Sequence, residues 1–441
     1  MVQTIADAVF MPWVVGVLLG AGAWLTFRTR VVQLRRFGEA WRTAFVRRPT
    51  GTTGALTPFQ AFMTALAASI GTGNIAGVAT AIVSGGPGAL FWIWVYGSVA
   101  MAIKFGEATL GLSFREVRGT TVLSGPMYYL RDGLRSPVLA WLFALVAAVA
   151  ALTTTPFTQP NSIALVINSV FGVPKLTAGL VIAVLTWLVI IGGIKTIGKA
   201  AERLSPLKVG LYLVGGLIVI LVNAARIPAV FALIFKGAFS MQAAAGGTLG
   251  ILVAMRYGIA RGIYANEAGY GTAAVAYGTA QSAQPVQQGL NAVIEVFTVS
   301  FVTSTISAMT ILLTGAWQSG LTSTAAVASG FNTVMPTVGG WIVAFCTFLF
   351  GYTTLIGWAY YGEQFFEYIL GRKVTVPYRW VYCALIPFGA ITKVDVVWAW
   401  GDLMNAVQVF PNLIGVIGLS GIVARIANER VSSTIEGVGG S

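Results

Sequence analysis

Two stretches of the chain carry polar residues and glycines in the middle of runs that are otherwise apolar. The first, ASIGTGNIAG at 68–77, interrupts an apolar run from Pro58 to Val83 with glycines, a threonine and an asparagine. The second, YGIARGIYANEAGYGTAAVAYG at 257–278, also contains charged and amide side chains: Arg261, Asn266 and Glu267. Groups of these types can bind a small ion or a zwitterion, so both stretches are candidates for a binding site.

The first stretch is predicted to open a helix into two halves. An opened helix leaves unpaired carbonyls at the end of one half and unpaired N–H groups at the start of the next, so one end attracts a cation and the other an anion. We therefore expect an anionic group, such as the carboxylate of a zwitterion, to bind the N–H groups of Thr72, Gly73, Asn74 and Ile75. The freed carbonyls around Ala68 and Gly71 are expected to bind Na⁺.

The composition indicates that these helices lie in a membrane. Hydrophobic residues make up 56% of the 441 residues and charged residues 9%, whereas soluble domains contain about 25% charged residues. The mean hydropathy is +0.81. A spanning helix needs about 20 apolar residues, and stretches suited to this can be placed at about 9–27, 58–83, 87–112, 137–168, 177–193, 206–224, 244–277, 286–315, 338–362, 378–393 and 402–424.

The distribution of basic residues predicts the orientation of these spans. Alternate connections place 20 lysines and arginines on one side and four on the other, with seven arginines in the connection at 28–48. Basic connections stay in the cytoplasm. We therefore expect a multi-pass protein of the plasma (inner) membrane with its N-terminus outside and its C-terminus in the cytoplasm. The net charge of +13 then suits anionic lipid, so no nucleic-acid partner is expected, and no obligate protein partner is evident.

The two polar breaks are five spans apart, and this spacing predicts the architecture. Discontinuous helices at matching positions of two halves are typical of transporters built from inverted repeats, with the binding site near the midplane. We expect an all-α integral membrane fold of about eleven helices, arranged as five plus five with one extra N-terminal helix and two discontinuous helices. The whole chain, 1–441, would be one transporter domain, with the extra span at 9–27, repeats at about 58–224 and 244–424, and a short cytoplasmic tail at 425–441.

Four segments of the chain closely resemble one family of transporters. They are TALAASIGTGNIAGVATAIVSGGPGALFWIW, GGIKTIGKA, ARGIYANEAGYGTA and LIGWAYYGEQ, which are similar to the alanine/glycine:cation symporter family, also called sodium/alanine symporters. The resemblance runs from about Phe59 to the last span. It implies the fold of the amino-acid/polyamine/organocation transporters and uptake of small amino acids, alanine or glycine, driven by Na⁺. No other cofactor and no transition metal are implied.

The resemblance and the side-chain chemistry together extend the candidate site. The amide of Gln159 can both donate and accept, and the resemblance places it against the substrate. Thr353 and Thr354 match a hydroxyl pair that, by analogy with the fold, offers oxygens to Na⁺. Bulky Trp358 and Tyr264 are expected to shorten the side-chain pocket to methyl size, and Asn266 is expected to bind substrate beside them.

Arg261 and Glu267 are the charged residues of the second break. Intramembrane charge is functional by default, and an arginine and a glutamate so close in sequence can form an ion pair. We expect these two residues to form a gating or structural ion pair.

Other functions are weighed against symport. An enzyme would need an activated nucleophile, a base or metal ligands, and the chain has no histidine and two cysteines. A channel, including one gated by an amino acid, would need a continuous pore lining, whereas the unusual residues converge on one point. Coupling to protons is the main alternative to Na⁺, and Glu267 is its candidate proton carrier.

Overall fold

In the computed structural model of the chain, residues 13–45, 53–118, 121–241 and 249–431 are described. Parts of three predicted segments therefore lie outside the described residues: the start of the span at 9–27, the start of the second repeat at 244 and most of the tail at 425–441. Within the described ranges the chain is helical apart from one hairpin, in which Glu116–Arg118 (β1) pairs antiparallel with Thr121–Leu123 (β2).

The first part of the chain contains helices α1 to α12, interrupted by short 3₁₀ and π turns. Their bounds are Val15–Arg28 (α1), Val32–Arg35 (α2), Phe37–Phe45 (α3), Pro58–Ser69 (α4), Ala76–Gly85 (α5), Ala89–Ser113 (α6), Pro126–Tyr128 (α7), Pro137–Thr153 (α8), Thr155–Phe171 (α9), Lys175–Ile190 (α10), Gly193–Val222 (α11) and Ile227–Ala238 (α12). A 3₁₀ turn, Thr72–Asn74, lies between α4 and α5.

The second part begins with a broken helix and continues with a longer helical segment, a short helix, three long helices and a final short helix. The bounds are Gly250–Asn266 (α13), Thr272–Gly278 (α14), Pro285–Phe297 (α15), Ser304–Thr314 (α16), Ser323–Asn332 (α17), Val338–Leu370 (α18), Thr375–Ile391 (α19), Val394–Gly418 (α20) and Ser420–Ile426 (α21). A π turn, Thr298–Thr303, joins α15 to α16.

Helix length and composition identify the segments that can cross a membrane. Among the described residues, six continuous helical segments are long and apolar enough, or up to eight when two bent pairs are each taken as one span. Helices α1 and α10 are apolar but shorter. The expected all-α membrane fold is confirmed, while the number of eleven spans and the inverted relation of the two repeats stay predictions.

The outer surface of the helices is apolar and the interior contains charge. Large hydrophobic side chains lie exposed along α10, α11 and α19, including Leu188, Leu221 and Phe388. In contrast, Lys104 and Glu107 on α6 are buried. This arrangement suits a lipid environment, in which charged groups face the interior of the helix bundle.

The first predicted break has a local cause. Helix α4 starts at a capping box in which the Thr57 side chain accepts from the Gln60 N–H, and it ends at Ser69. Backbone at Gly71 is extended, with φ −104° and ψ −167°, so the helical bonding stops there. The two halves are bent by 58°.

The second break begins where α13 ends at Asn266. Glu267 takes the left-handed conformation with φ 57°, and Gly269 and Gly271 also have positive φ. Buried Glu107 Oε1 accepts from the N–H groups of Gly269 and Gly271 at 2.9 and 3.1 Å and from Asn412 Nδ2 at 2.6 Å. A carboxylate on α6 thus satisfies the opened backbone, as buried polar groups require.

Candidate functional site

A small pocket lies between the two breaks. It is bounded by the first break, by α9, by the second break and by α18 and α20. Its lining residues are Ala68, Ser69, Gly71, Gly73, Thr154, Thr155, Gln159, Tyr264, Glu267, Tyr270, Thr354, Trp358 and Asn405. Two segments more than 180 residues apart in sequence therefore meet at one point, as the positions of the two breaks predict.

The start of the second half-helix is held by Gln159. Its Oε1 accepts from the Thr72 backbone N–H and from the Thr72 hydroxyl, each at 3.0 Å. The amide oxygen thus lies at the positively polarised end of the helix, where an anion would be stabilised. The N–H groups of Asn74 and Ile75 donate within the turn, to Gly71 O and Thr72 O.

Not all predicted ligands line the pocket. Thr72 reaches it through its bond to Gln159, whereas Asn74, Ile75 and Asn266 lie outside the lining. The Asn74 side chain donates to Ser69 O at 3.1 Å and accepts from Thr303. Asn266 accepts from the Ala268 N–H and donates to Ser300. Both asparagines therefore brace the breaks in this structure.

Aromatic side chains cover the pocket on the side of α13. The Tyr264 hydroxyl donates to Thr158 Oγ1 at 2.5 Å and lies 3.4 Å from Gln159 Nε2. Its ring packs against Trp398, with the ring centroids 4.9 Å apart. Because these contacts join α13 to α9 and α20, opening the pocket on this side requires that they separate.

The expected ion pair between Arg261 and Glu267 is wrong. Arg261 pairs with Asp402 on α20, and Arg256 lies 3.8 Å from the same carboxylate. Arg261 lies inside the helix, whereas Glu267 follows its last residue in the left-handed conformation. The observed pair lies on the pocket's α13 side, next to Trp398, whose ring centroid is 4.8 Å from the Arg261 guanidinium carbon.

Glu267 instead faces the pocket. Its carboxylate accepts from Trp358 Nε1 at 2.5 Å and from Thr272 Oγ1 at 2.9 Å. The Trp358 ring also packs edge-on against Tyr361, with the centroids 5.9 Å apart. These contacts fix the Trp358 ring in the pocket wall.

The hydroxyl pair on α18 lies against the end of α4. Thr354 Oγ1 donates to Ala68 O at 2.7 Å, and Thr353 Oγ1 lies 3.1 Å from Ala67 O. The carbonyls of Ala67 and Ile70 and the hydroxyl of Thr353 converge on one point. The atom at that point is the Nζ of Lys208 from α11. The sequence predicted instead that the carbonyls of Ala68 and Gly71 would converge with the hydroxyl pair.

Several residues of the site have no clear signal in the sequence. Asn405 lines the pocket, and its Oδ1 has no hydrogen-bond partner among the described residues. Lys208 lies near the start of a predicted span, where a basic residue is ordinary. Asp402 lies at a predicted span boundary, and its partner is 141 residues away. Only the folded chain brings these residues together.

A second buried ion pair stabilises the first break at the point where α4 ends. Lys104 Nζ donates to Glu295 Oε1 at 2.5 Å, to Asn266 O at 2.5 Å and to Ser69 Oγ at 3.0 Å. The Tyr277 hydroxyl donates to the other oxygen of Glu295. One ammonium thus links both broken helices to α15.

Comparison with known proteins supports the fold. The structure of MhsT in complex with L-phenylalanine matches with a TM-score of 0.57 at 13% sequence identity, covering 86% of this chain and 99% of that one. A sodium-coupled sialic acid symporter in a substrate-bound outward-open state matches with a TM-score of 0.54 at 12% identity, covering 95% and 86%. At these identities the likeness concerns the fold alone.

Comparison of sequences identifies the family. The chain is 39% identical to the sodium/alanine symporter AgcS of Methanococcus maripaludis, over 96% of this chain and 95% of that protein. It is 35% identical to the probable sodium/glutamine symporter GlnT of Bacillus subtilis, over 95% and 87%. The model of the sodium:alanine symporter family matches residues 1–437. The chain belongs to the sodium:alanine symporter family.

Proposed function

We propose that this chain takes up small neutral amino acids, alanine or glycine, together with Na⁺ by alternating access. The observation that carries the proposal is the contact between Gln159 and the opened helix start at Thr72, inside a small buried pocket. Na⁺ as the coupling ion is supported by membership of the sodium:alanine symporter family.

The carboxylate of the substrate binds the Thr72 end of the pocket in this proposal. Gln159 Oε1 already accepts from the Thr72 N–H and hydroxyl, and a carboxylate makes stronger bonds to such donors than a neutral amide oxygen does. The Gln159 amide then turns its NH₂ group towards the carboxylate. The substrate carboxylate therefore replaces Gln159 Oε1 as the acceptor at Thr72. Neither the N–H nor the hydroxyl of Thr72 is left unpaired.

The substrate ammonium binds at the opposite wall. Asn405 Oδ1 is buried and has no hydrogen-bond partner among the described residues, and the Glu267 carboxylate also lines the pocket. These oxygens supply acceptors and negative charge for an ammonium. The two ends of a zwitterion are thus matched by groups of opposite character.

The size of the pocket favours a short side chain. The pocket is small, and Trp358 and Tyr264 are among the side chains that line it. Because hydrogen bonds fix both rings, a larger side chain would have to displace one of them. Alanine and glycine demand the smallest displacement of these rings.

In the proposal, alternating access opens the pocket to one side of the membrane at a time. Tyr264, Trp398 and the Arg261–Asp402 pair close it towards the side of α13, which the basic-residue distribution assigns to the outside. The chain acts as one domain in the inner membrane, with the N-terminus outside.

Competition during counterflow tests the proposed substrate class. Purified protein in liposomes preloaded with unlabelled alanine should accumulate labelled alanine, and external alanine or glycine should compete. Leucine should not compete, and glutamine is included because one relative is a probable sodium/glutamine symporter. Stronger competition by glutamine or leucine than by alanine would contradict the proposed substrate class.

A further inference from the structure

Lys208 is a buried basic residue whose hydrogen-bond partners are all uncharged. Its side chain is fully buried on α11. Nζ lies 2.6 Å from Ile70 O, 3.1 Å from Ala67 O and 2.5 Å from Thr353 Oγ1. We call these three oxygens the cradle. It joins the end of the first half-helix to α18.

The three oxygens of the cradle match the three N–H groups of an ammonium. The two carbonyls can only accept, so Nζ donates to both. The Thr353 hydroxyl also lies 3.1 Å from the carbonyls of Ala67 and Phe350, either of which can take its single hydrogen. With that hydrogen given to a carbonyl, the hydroxyl oxygen accepts the third N–H of Nζ.

The cradle has the chemistry of a monovalent cation site. Carbonyls at the end of an opened helix and hydroxyl oxygens are the ligands that hold Na⁺ in broken-helix transporters, and the Phe350 ring centroid lies 5.3 Å from Nζ. A ring face also favours a cation. The ammonium satisfies these oxygens without any ion from solution.

We propose that the Lys208 ammonium is the resident cation of the cradle, that Na⁺ does not bind there in the natural chain, and that removing the ammonium creates a Na⁺ site. This replaces the sequence-based expectation that Thr353 and Thr354 hold Na⁺. Na⁺ and the ammonium cannot share three oxygens, because their like charges would repel at contact distance. Under the proposed function, the Na⁺ that drives transport therefore binds elsewhere in the chain. The cradle contributes no Na⁺ to the number of ions carried per transport cycle.

Na⁺ binding to purified protein without amino acid tests the proposal directly. Lys208→Met keeps an unbranched apolar stem and removes the charge. Binding of ²²Na⁺ to this variant should exceed wild-type binding by one ion per chain, and adding Thr353→Val should remove the extra ion. Lys199→Met, at an exposed position of the same helix, is the matched control and should bind as the wild type does. No additional ion in folded Lys208→Met would overturn the proposal.

A second arm leaves Lys208 in place, so it decides the question even if Lys208→Met does not fold. Thr353→Val in the natural background removes one cradle oxygen and nearly preserves the shape. Its ²²Na⁺ affinity should stay within twofold of wild type. A tenfold or greater loss of ²²Na⁺ affinity in folded protein would mean that Na⁺ binds in the cradle, and would contradict the proposal. Because neither arm contains amino acid, failure of alanine uptake bears only on the proposed function.

Discussion

Gly71 is the residue at which the opened backbone comes closest to its neighbours. A Cβ there would lie 2.6 Å from Thr354 Oγ1 and 3.1 Å from Gln159 Oε1. Real Cβ atoms essentially never approach a neighbour to less than 3.0 Å. Glycine is thus required at the point where the pocket, the hydroxyl pair and the amide meet.

Gly71→Ala should abolish alanine binding in folded protein, because α18 or Gln159 must move out of the pocket wall. Gly77→Ala is the control, since the nearest atom to its new Cβ is the flexible Arg261 Cδ at 3.4 Å. Binding is measured by the shift of the unfolding temperature with alanine. Equal shifts in the two variants would show that the close approach at Gly71 does not matter for the ligand.

Gln159→Ala should weaken alanine binding by about 1–3 kcal/mol, the cost of a buried hydrogen bond left unmade. The Thr72 N–H also loses its acceptor in the variant without ligand. Na⁺ affinity without amino acid should stay close to the wild-type value. If both affinities fell together, Gln159 would have to be assigned to support of the fold.

Trp358→Ala should admit larger amino acids, because it removes the ring that bounds the pocket beside Glu267. One methylene in such a pocket is worth about 1–3 kcal/mol. Competition by valine and leucine against labelled alanine measures the change. Trp358→Phe is the control, since it also loses the bond to Glu267 but keeps most of the bulk. Leucine that competes no better in the alanine variant than in the phenylalanine variant would contradict this role.

The sequence identifies some of these residues and misses others for a physical reason. A glycine or amide inside an apolar run is visible because it breaks a local pattern, as at Gly71 and Asn266. The partner of Arg261 is not visible, because Asp402 is distant in sequence and only packing brings the two together. Lys208 is hidden for the same reason, since its three acceptors come from two other helices.

At the scale of elements, three helices are joined over the pocket by buried polar contacts. Arg261 on α13 pairs with Asp402 on α20, and Tyr264 on α13 donates to Thr158 on α9. Asp402 does not line the pocket. We therefore propose that the pair stabilises the closed arrangement of this side without contacting the substrate.

Asp402→Asn should slow transport more than it weakens binding. Removing one charge of a buried pair leaves the other uncompensated, which costs about 3–5 kcal/mol, and the closed cover loses that stabilisation. Equilibrium alanine affinity should change less than threefold while the uptake rate falls at least tenfold. Asp395→Asn, at an exposed position of the same helix, is the control. A purely proportional loss of affinity and rate would place Asp402 in the binding site.

The order of elements was predictable because the two breaks and the long apolar runs are local signals. The bounds of the elements were harder to predict than their order. The run from Pro137 to Phe171, for example, contains a boundary between α8 and α9 at Thr154 that hydropathy does not reveal. The short helices α12 and α17 between the long ones were also missed. They pack on the bundle without being long enough to cross a membrane.

For the whole molecule, the composition predicted a lipid environment, and the family resemblance predicted the fold. The apolar exterior and the buried charges agree with a protein in lipid. The family model covers residues 1–437, so the resemblance to the symporters is confirmed. Which amino acid is carried depends on distances of a few ångströms around Trp358 and Gln159, which neither composition nor the order of elements contains.

Accumulation of alanine against its gradient tests the central claim most directly. Wild-type protein in liposomes is given an inward Na⁺ gradient at equal pH on both sides, and internal labelled alanine is measured over time. The account predicts a transient internal concentration above the external one, and no accumulation with an inward K⁺ gradient or in Gly71→Ala. Accumulation driven by an imposed pH gradient without Na⁺, or simple equilibration under every gradient, would contradict it.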